Sequence, residues 1–450
     1  MPEATADLSS NGASPPPYKE SCFVKTLTRA ALAAALIAGT SSIAFVMPAE
    51  AKKKDEAPAG PKVSAELRPA IIAAQTALTA KDLATAETNI ATVEAGAKTD
   101  DERYFAQVLR LQLEANKLGP TGSDATLAGP IDALLANPAT PKAEVGRFSY
   151  MRANISYNAK QYPAALAQYQ KAKDLGYVSP NLGLQLARTK ILGGDPAGGA
   201  ADIEAIIAAD KAAGKKSDED LYKYTITALQ KTTDVAATQR WTREWLYAYP
   251  TQKNWHTAIY VFGFQGANQK VITKRERVDL FRLLRATGAL AGESEYLEYA
   301  DLAVEVGVAT ESQSVIKEGK ASNKIAATNA NVSRISADAA AQVAKEGSAA
   351  AQEKSAAASP NGLSAAGTGD FYLGNGNYAK AIEMYKLALT KGGDKLNADE
   401  VNTHLGIAYL ESGDKASAKA AFALVKTGLR AQIAQLWTTW ADAPGVPTAG

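Results

Sequence analysis

The chain has 450 residues, enough for two or three ordinary domains or for one extended array of helical pairs. Hydrophobic residues make up 46%, a share carried largely by alanine, the best helix former and a poor filler of deep globular cores. The 49 Lys and Arg offset 47 Asp and Glu for a formal charge of +2, dispersed with no basic stripe; this excludes nucleic acid as a partner, which needs clustered cations to displace counterions from phosphate.

Residues 30–47 form an uncharged, largely apolar run, preceded by Lys19, Lys25 and Arg29 and followed by Pro48 and then Ala49-Glu50-Ala51. A basic flank, an apolar stretch and a small-x-small end are the parts of a secretory signal peptide, so residues 1–51 read as a leader cleaved after Ala51. The destination is the periplasm, with no stable membrane span after cleavage. An uncleaved inner-membrane anchor through residues 30–47 is the competing reading, weakened by Gly39, Thr40, Ser41 and Ser42. Cys22, the one cysteine, lies in the leader, which leaves the mature chain without a disulfide. Residues 52–62 mix charge with Pro and Gly and read as a flexible spacer, with the folded part beginning near Val63.

Residues 63–216 carry the first helical hairpins. Ala74, Leu83, Ala86 and Ile90 place small and bulky residues at helical spacing. Ala153, Tyr162, Ala165, Tyr169 and Ala172 do the same, and Ala187, Gly194, Ile203 and Ile206 repeat the pattern 34 residues later (187 minus 153). Between 217 and 320 the three- and four-residue apolar spacing persists without a clear repeat, which predicts degenerate hairpins rich in aromatics, Trp241, Trp245 and Trp255 among them. Residues 321–360 are rich in Ala and Ser. Ile325, Val332, Ile335, Ala339 and Val343 lie roughly on one stripe, which predicts one long helix or two ending at Pro360; disorder is the competing reading, because little bulky side chain is there to bury.

The clearest repeats occupy 361–428. Gly369, Tyr372, Gly376, Tyr378, Ala381, Tyr385 and Ala388 form one copy, and Leu405, Gly406, Tyr409, Gly413, Ala418 and Phe422 a second, 37 residues on (406 minus 369). Small residues at Gly369 and Ala381, or Gly406 and Ala418, let two helix backbones approach, and the larger ones fill the space between hairpins. The final helix, 429–441, sets Leu429, Ile433, Leu436, Trp437 and Trp440 on one face and supplies a terminal cap; residues 442–450 are a tail.

This spacing of small and aromatic residues resembles the tetratricopeptide repeat family, and the chain as a whole looks like the exported tetratricopeptide proteins of Gram-negative envelopes. The family's usual Trp at the start of the first helix and Pro after the second are absent from both good copies. The resemblance implies an all-α fold, an α-solenoid of antiparallel helix hairpins wound as a tetratricopeptide-like superhelix with a C-terminal capping helix. It also implies binding of a peptide or protein along a groove lined by first helices, with Tyr372, Asn402 and Thr403 among the lining residues. Trp255 and Tyr260 join them as partner-binding candidates because polar neighbours surround them.

Several fragments invite catalytic readings and lack their context. His256 and His404, the two histidines, each stand alone on a helix, so no metal site is expected. Gly374 to Ala379 matches a dinucleotide fingerprint without a preceding strand and reads as the turn between two helices. Ser314 with Lys317, Ser359-Pro360-Asn361 and Lys426-Thr427-Gly428 resemble the three motifs of a penicillin-binding serine site, without the α/β domain that chemistry needs. Glu311-Ser312 and Glu411-Ser412 resemble the Glu-Ser of lytic transglycosylases, with no lysozyme-like domain following. The expectation is therefore a non-catalytic, cofactor-free scaffold for a protein or peptide partner in envelope assembly or secretion. An accessory module for cell-wall or polysaccharide handling is the alternative, and a cryptic hydrolase a distant third.

Overall fold

A computed structural model describes residues 61–118, 122–326 and 328–443. The expected leader at 1–51, the expected spacer through residue 60 and the expected tail from residue 444 lie outside the described residues. Among the described residues all regular structure is helical, and no helix there is long and apolar enough to cross a membrane. The fold is all-α, a solenoid of antiparallel hairpins, and it divides into two compact units at Ser217/Asp218.

One turn recurs in both units. At Lys81, Lys160, Gly194, Gly307, Gly376 and Gly413 the backbone turns to positive φ just after a helix. The next amide then reaches back over the last turn, as Asp82 N to Ala77 O, Gln161 N to Ser156 O, Asp195 N to Lys190 O, Asn377 N to Tyr372 O and Asp414 N to Tyr409 O, all at 2.8–2.9 Å. These six-to-one bonds satisfy a helix's orphan carbonyls. Asp82, Asp195, Asn377 and Asp414 also cap the following helix with their side chains. One short sequence thus ends a helix, reverses the chain and starts the partner helix.

The first unit contains α1 (Arg68–Thr79), α2 (Leu83–Gly96), α3 (Asp100–Lys117), α4 (Ala128–Ala136), α5 (Lys142–Asn158), α6 (Tyr162–Asp174), α7 (Leu182–Leu192) and α8 (Pro196–Ala212). Its core is a chain of local clusters. Ile71, Ile90 and Leu109 sit in the first, Leu111, Ile131 and Phe148 in the second, and Tyr150, Tyr169 and Leu186 in the third. Helices α3 and α5 each serve two clusters with residues two apart, so each hairpin packs on its sequence neighbours. Near the start of the described residues, Lys62 N and Ser64 N donate to the carboxylates of Asp101 and Glu102 at the start of α3.

The second unit contains α9 (Glu219–Leu229), α10 (Val235–Ala248), α11 (Gln252–Gly263), α12 (Lys274–Ala286), α13 (Glu293–Glu305) and α14 (Ala309–Ala321), followed by α15 (Ala330–Glu346), α16 (Ala349–Ala358), α17 (Leu363–Gly374), α18 (Tyr378–Lys391), α19 (Ala398–Glu411), α20 (Lys415–Phe422) and α21 (Gly428–Asp442). The Ala/Ser-rich segment is two helices, α15 and α16, broken at Gly347, whose φ is +79°. The terminal helix packs on α19 and α20 and also returns to α10 and α12. Its Trp440 meets Trp255 edge to face at 5.6 Å. The unit is therefore closed by contacts between helices far apart in sequence.

Helix pairs in the two clear repeats touch through glycine. A Cβ added at Gly369 would sit 2.5 Å from the Tyr385 ring, and one at Gly406 2.4 Å from the Phe422 ring. Gly367, on the other side of α17, faces open space. Gly406→Leu is expected to destabilise the second unit by about 1–3 kcal/mol through overpacking, whereas Gly367→Ala should be neutral or stabilising by up to about 1 kcal/mol. Denaturant midpoints test the pair; equal midpoints would contradict the packing described here.

Candidate functional site: a closed charge network in the second unit

The most unusual chemistry in the molecule is buried. On α12, Asp279 and Arg282 lie one turn apart inside an apolar stretch, with relative side-chain exposures of 0% and 5%. Arg282 forks onto Glu311 of α14 through Nε and Nη2, at 2.9 and 2.6 Å, while its Nη1 donates to Asp279 Oδ1 at 2.7 Å. Tyr299 of α13 donates its hydroxyl to Glu311. From α19, His404 sets Nδ1 2.7 Å from Asp370 Oδ1 of α17 and Nε2 3.0 Å from Asp279 Oδ1. Tyr385 of α18 donates to the same Asp370 oxygen at 2.7 Å. Arg430 of α21 donates to Asp279 Oδ2 and lies 3.6 Å from Glu400. Arg275, the half-exposed outer member, donates to Glu400 at 2.7 Å.

The electrostatics follow from this geometry. Burial works against a charge on His404, but Asp370 and Asp279 on its two nitrogens hold the proton there and raise its pKa to about 9. Burial would likewise raise the Asp279 carboxyl; His404 and Arg430 outweigh it and keep it well below the usual carboxylate range, and Asp370 is lowered in the same way. Burial pushes Tyr299 and Tyr385 upward, so both remain donors. With His404 protonated, Asp279, Glu311, Asp370 and Glu400 balance Arg275, Arg282, His404 and Arg430. Arg282 Nη1 and His404 Nε2, two cationic donors 2.9 Å apart, are held together by the Asp279 oxygen they share.

Such a site can fix helices; it presents no free group to a ligand. Among the described residues no group of three or more His, Cys, Asp or Glu could hold a metal. At His404 the reason is visible, because Arg282 and Arg430 already occupy the cationic positions between its carboxylates. At the outer edge of the network, Arg275, Glu400 and Arg430 border an open cleft of about 540 Å³, where Lys274 pairs with Glu305 at 2.7 Å.

The residues expected to meet a partner are distributed differently. Trp255 is buried at 1% exposure, and Tyr372, Asn402 and Thr403 are also in the interior. The reason for the last two is the crowding of α19, which touches α17, α18, α20 and α21 and keeps few free faces. Tyr372 donates its hydroxyl to Glu353 of α16. Tyr260 is half-buried on α11, stacked between His256 at 5.2 Å and Phe264 at 5.1 Å, with Val261 exposed beside it. His256 pairs with Glu295 at 2.7 Å.

The catalytic look-alikes have local roles. Ser314 donates to Glu311 O and receives Arg285, Asn361 Oδ1 accepts from Leu363 N in the turn before α17, and Thr427 is anchored by N and Oγ1 to Asp399. Gly376 is the hairpin turn described above. Glu311 of the Glu-Ser fragment is locked to Arg282. The network itself went unnoticed in the sequence. Its available signal was the pair Asp279 and Arg282 inside an otherwise apolar helix face.

No family model matches the chain, and no curated protein matches it. Solved structures similar to it include a Naa15/Naa10 complex bound to HypK-THB, at 12% identity over 81% of this chain and 69% of that one, with a TM-score of 0.23. Another is the APC/C hetero-tetramer Cut9-Hcn1, at 13% identity over 83% of this chain and 81% of that one, with a TM-score of 0.20.

Two outcomes follow from the network. His404 keeps its proton to about pH 9 when folded and to about 6.5 when unfolded, so its stabilising effect is complete below 6.5 and disappears as pH rises through 9. Asp279 and Asp370 contribute above their ordinary 3.8 and lose that contribution on acidification. The second unit should melt highest between about pH 4 and 6.5, and His404→Gln should flatten the alkaline decline, which is on the order of 3 kcal/mol in the native chain. Asp279→Ala, which strands two buried arginines and a histidine, should cost about 3–5 kcal/mol by chemical denaturation. A loss below about 1 kcal/mol, the size of a surface pair, would show that the network is not a structural tie.

Proposed function

We propose that this chain is a non-catalytic periplasmic scaffold, exported through residues 1–51, that holds a protein or peptide partner in envelope assembly or secretion. One observation carries the reading. The side chains best suited by type to acid–base work, His404, Asp279, Asp370 and Glu311, are paired with one another and with arginines inside the core, so their free energy goes into fixing helices. What remains on the surface is the face of stacked hairpins, where half-buried Tyr260, stacked between His256 and the buried Phe264 and beside the exposed Val261, supplies an apolar contact of the kind that anchors protein interfaces. Among the candidate residues Tyr260 is the contact. Trp255, Tyr372, Asn402 and Thr403 support the helices that present the surface.

The test is capture from envelope extract by the mature chain, Lys52 to Gly450, in parallel with Tyr260→Ser. Enrichment of one or a few polypeptides by the native chain, at least about tenfold less with Tyr260→Ser at an unchanged melting point, is the expected result. Capture that ignores the substitution would remove Tyr260 from the interface. Retention on purified peptidoglycan in place of any polypeptide would replace the scaffold reading with cell-wall handling.

A further inference from the structure

A cavity of about 330 Å³ opens in the second unit where α14, α15, α16 and α17 meet. Its walls are mostly Gly, Ala, Ser and Thr, so a ligand can approach the backbone closely. Three features give the lining a direction. Glu346, the last residue of α15, contributes the one ionisable side chain. It is half-buried and accepts from Gln342; no cation sits against it, and burial raises its pKa. The hydroxyls of Thr310, Ser355 and Ser364 add acceptor oxygens, and Phe371 adds a partly exposed ring. The amide Nε2 of Gln352, also in the wall, is buried with no hydrogen-bond partner.

We propose that this cavity binds a lysine side chain of an extended peptide, with the ammonium on Glu346. An anion is disfavoured because the wall holds a carboxylate and no cation. A divalent ion needs several hard oxygen ligands with more than one formal charge between them, and one carboxylate does not meet that demand. A primary ammonium has three donors on a compact head, which match a carboxylate and neighbouring hydroxyl oxygens, and the Phe371 ring adds a favourable face. The helix end is on the same side of the argument, because Glu346 stands at the negative pole of α15. The inference rests on the scaffold reading for the source of the peptide alone; the cavity chemistry stands without it.

The test uses the mature chain and the probe acetyl-Gly-Lys-Gly-amide, titrated by calorimetry or by NMR chemical shifts, with norleucine, N-acetyl-lysine and arginine versions as controls. Two variants probe the site. Glu346→Gln removes the charge with little change of shape, and Gly367→Leu fills the cavity from a position that faces open space. The expected result is saturable binding of the lysine probe, weakened about tenfold or more by either variant and by loss of the ammonium in the norleucine and acetyl-lysine probes. Melting points of the variants should not fall below that of the native chain, which separates lost binding from lost folding. Absence of binding, equal binding of the norleucine probe, tighter binding of the arginine probe, or indifference to both substitutions would each overturn the assignment. Failure of the lysine probe to bind a native chain that still captures a polypeptide from extract would sink this inference while leaving the scaffold reading in place.

Discussion

The constraint on which the second unit depends is the cost of holding charge away from water. Each carboxylate or guanidinium taken into a low-dielectric interior loses several kcal/mol of hydration, and only close, well-directed partners return it. Asp279 is the hub, with Arg282, His404 and Arg430 arranged around its two oxygens. Because those partners come from α12, α19 and α21, the arrangement exists only when all three helices are in register. An apolar contact tolerates a slip of an ångström; a set of directed bonds at 2.6–3.0 Å does not.

This gives the two units different physical characters. The first is bound through successive apolar clusters linked by α3 and α5, so its stability is close to a sum of neighbour terms. The second adds ties that skip over the sequence, from Asp279 to His404 and Arg430 and from Arg282 to Glu311. Tyr299 and Tyr385 complete the hydrogen bonding of Glu311 and Asp370, which leaves the charged centre with few unmet demands.

How much of this could be read from the sequence depends on the range of the forces involved. Helices and their turns are local, so the Gly369 and Gly406 pattern and the apolar periods of 217–320 point to hairpins without any knowledge of tertiary structure; that the glycines face the Tyr385 and Phe422 rings is seen only in the structure. The network was illegible because its partners lie up to 151 residues apart. His404 on its own helix gives no sign of Asp370 and Asp279, and periodicity says which face of a helix is buried but not what lies across from it. Trp255 shows the same limit from the other side: its polar neighbours in sequence suggested exposure, while Trp440, from the far end of the chain, covers it.

The long reach of the Asp279 ties sets an order of events during synthesis. Helix α12 is complete when Arg430 has yet to be made, so for that interval Asp279 and Arg282 lack α19 and α21 and remain hydrated instead of buried. The hairpins of the first unit can close as they appear, since each of their contacts is with a neighbour. The second unit has to wait for its last helix, and a chain that stops short of Arg430 keeps its central acid without the cation that arrives last.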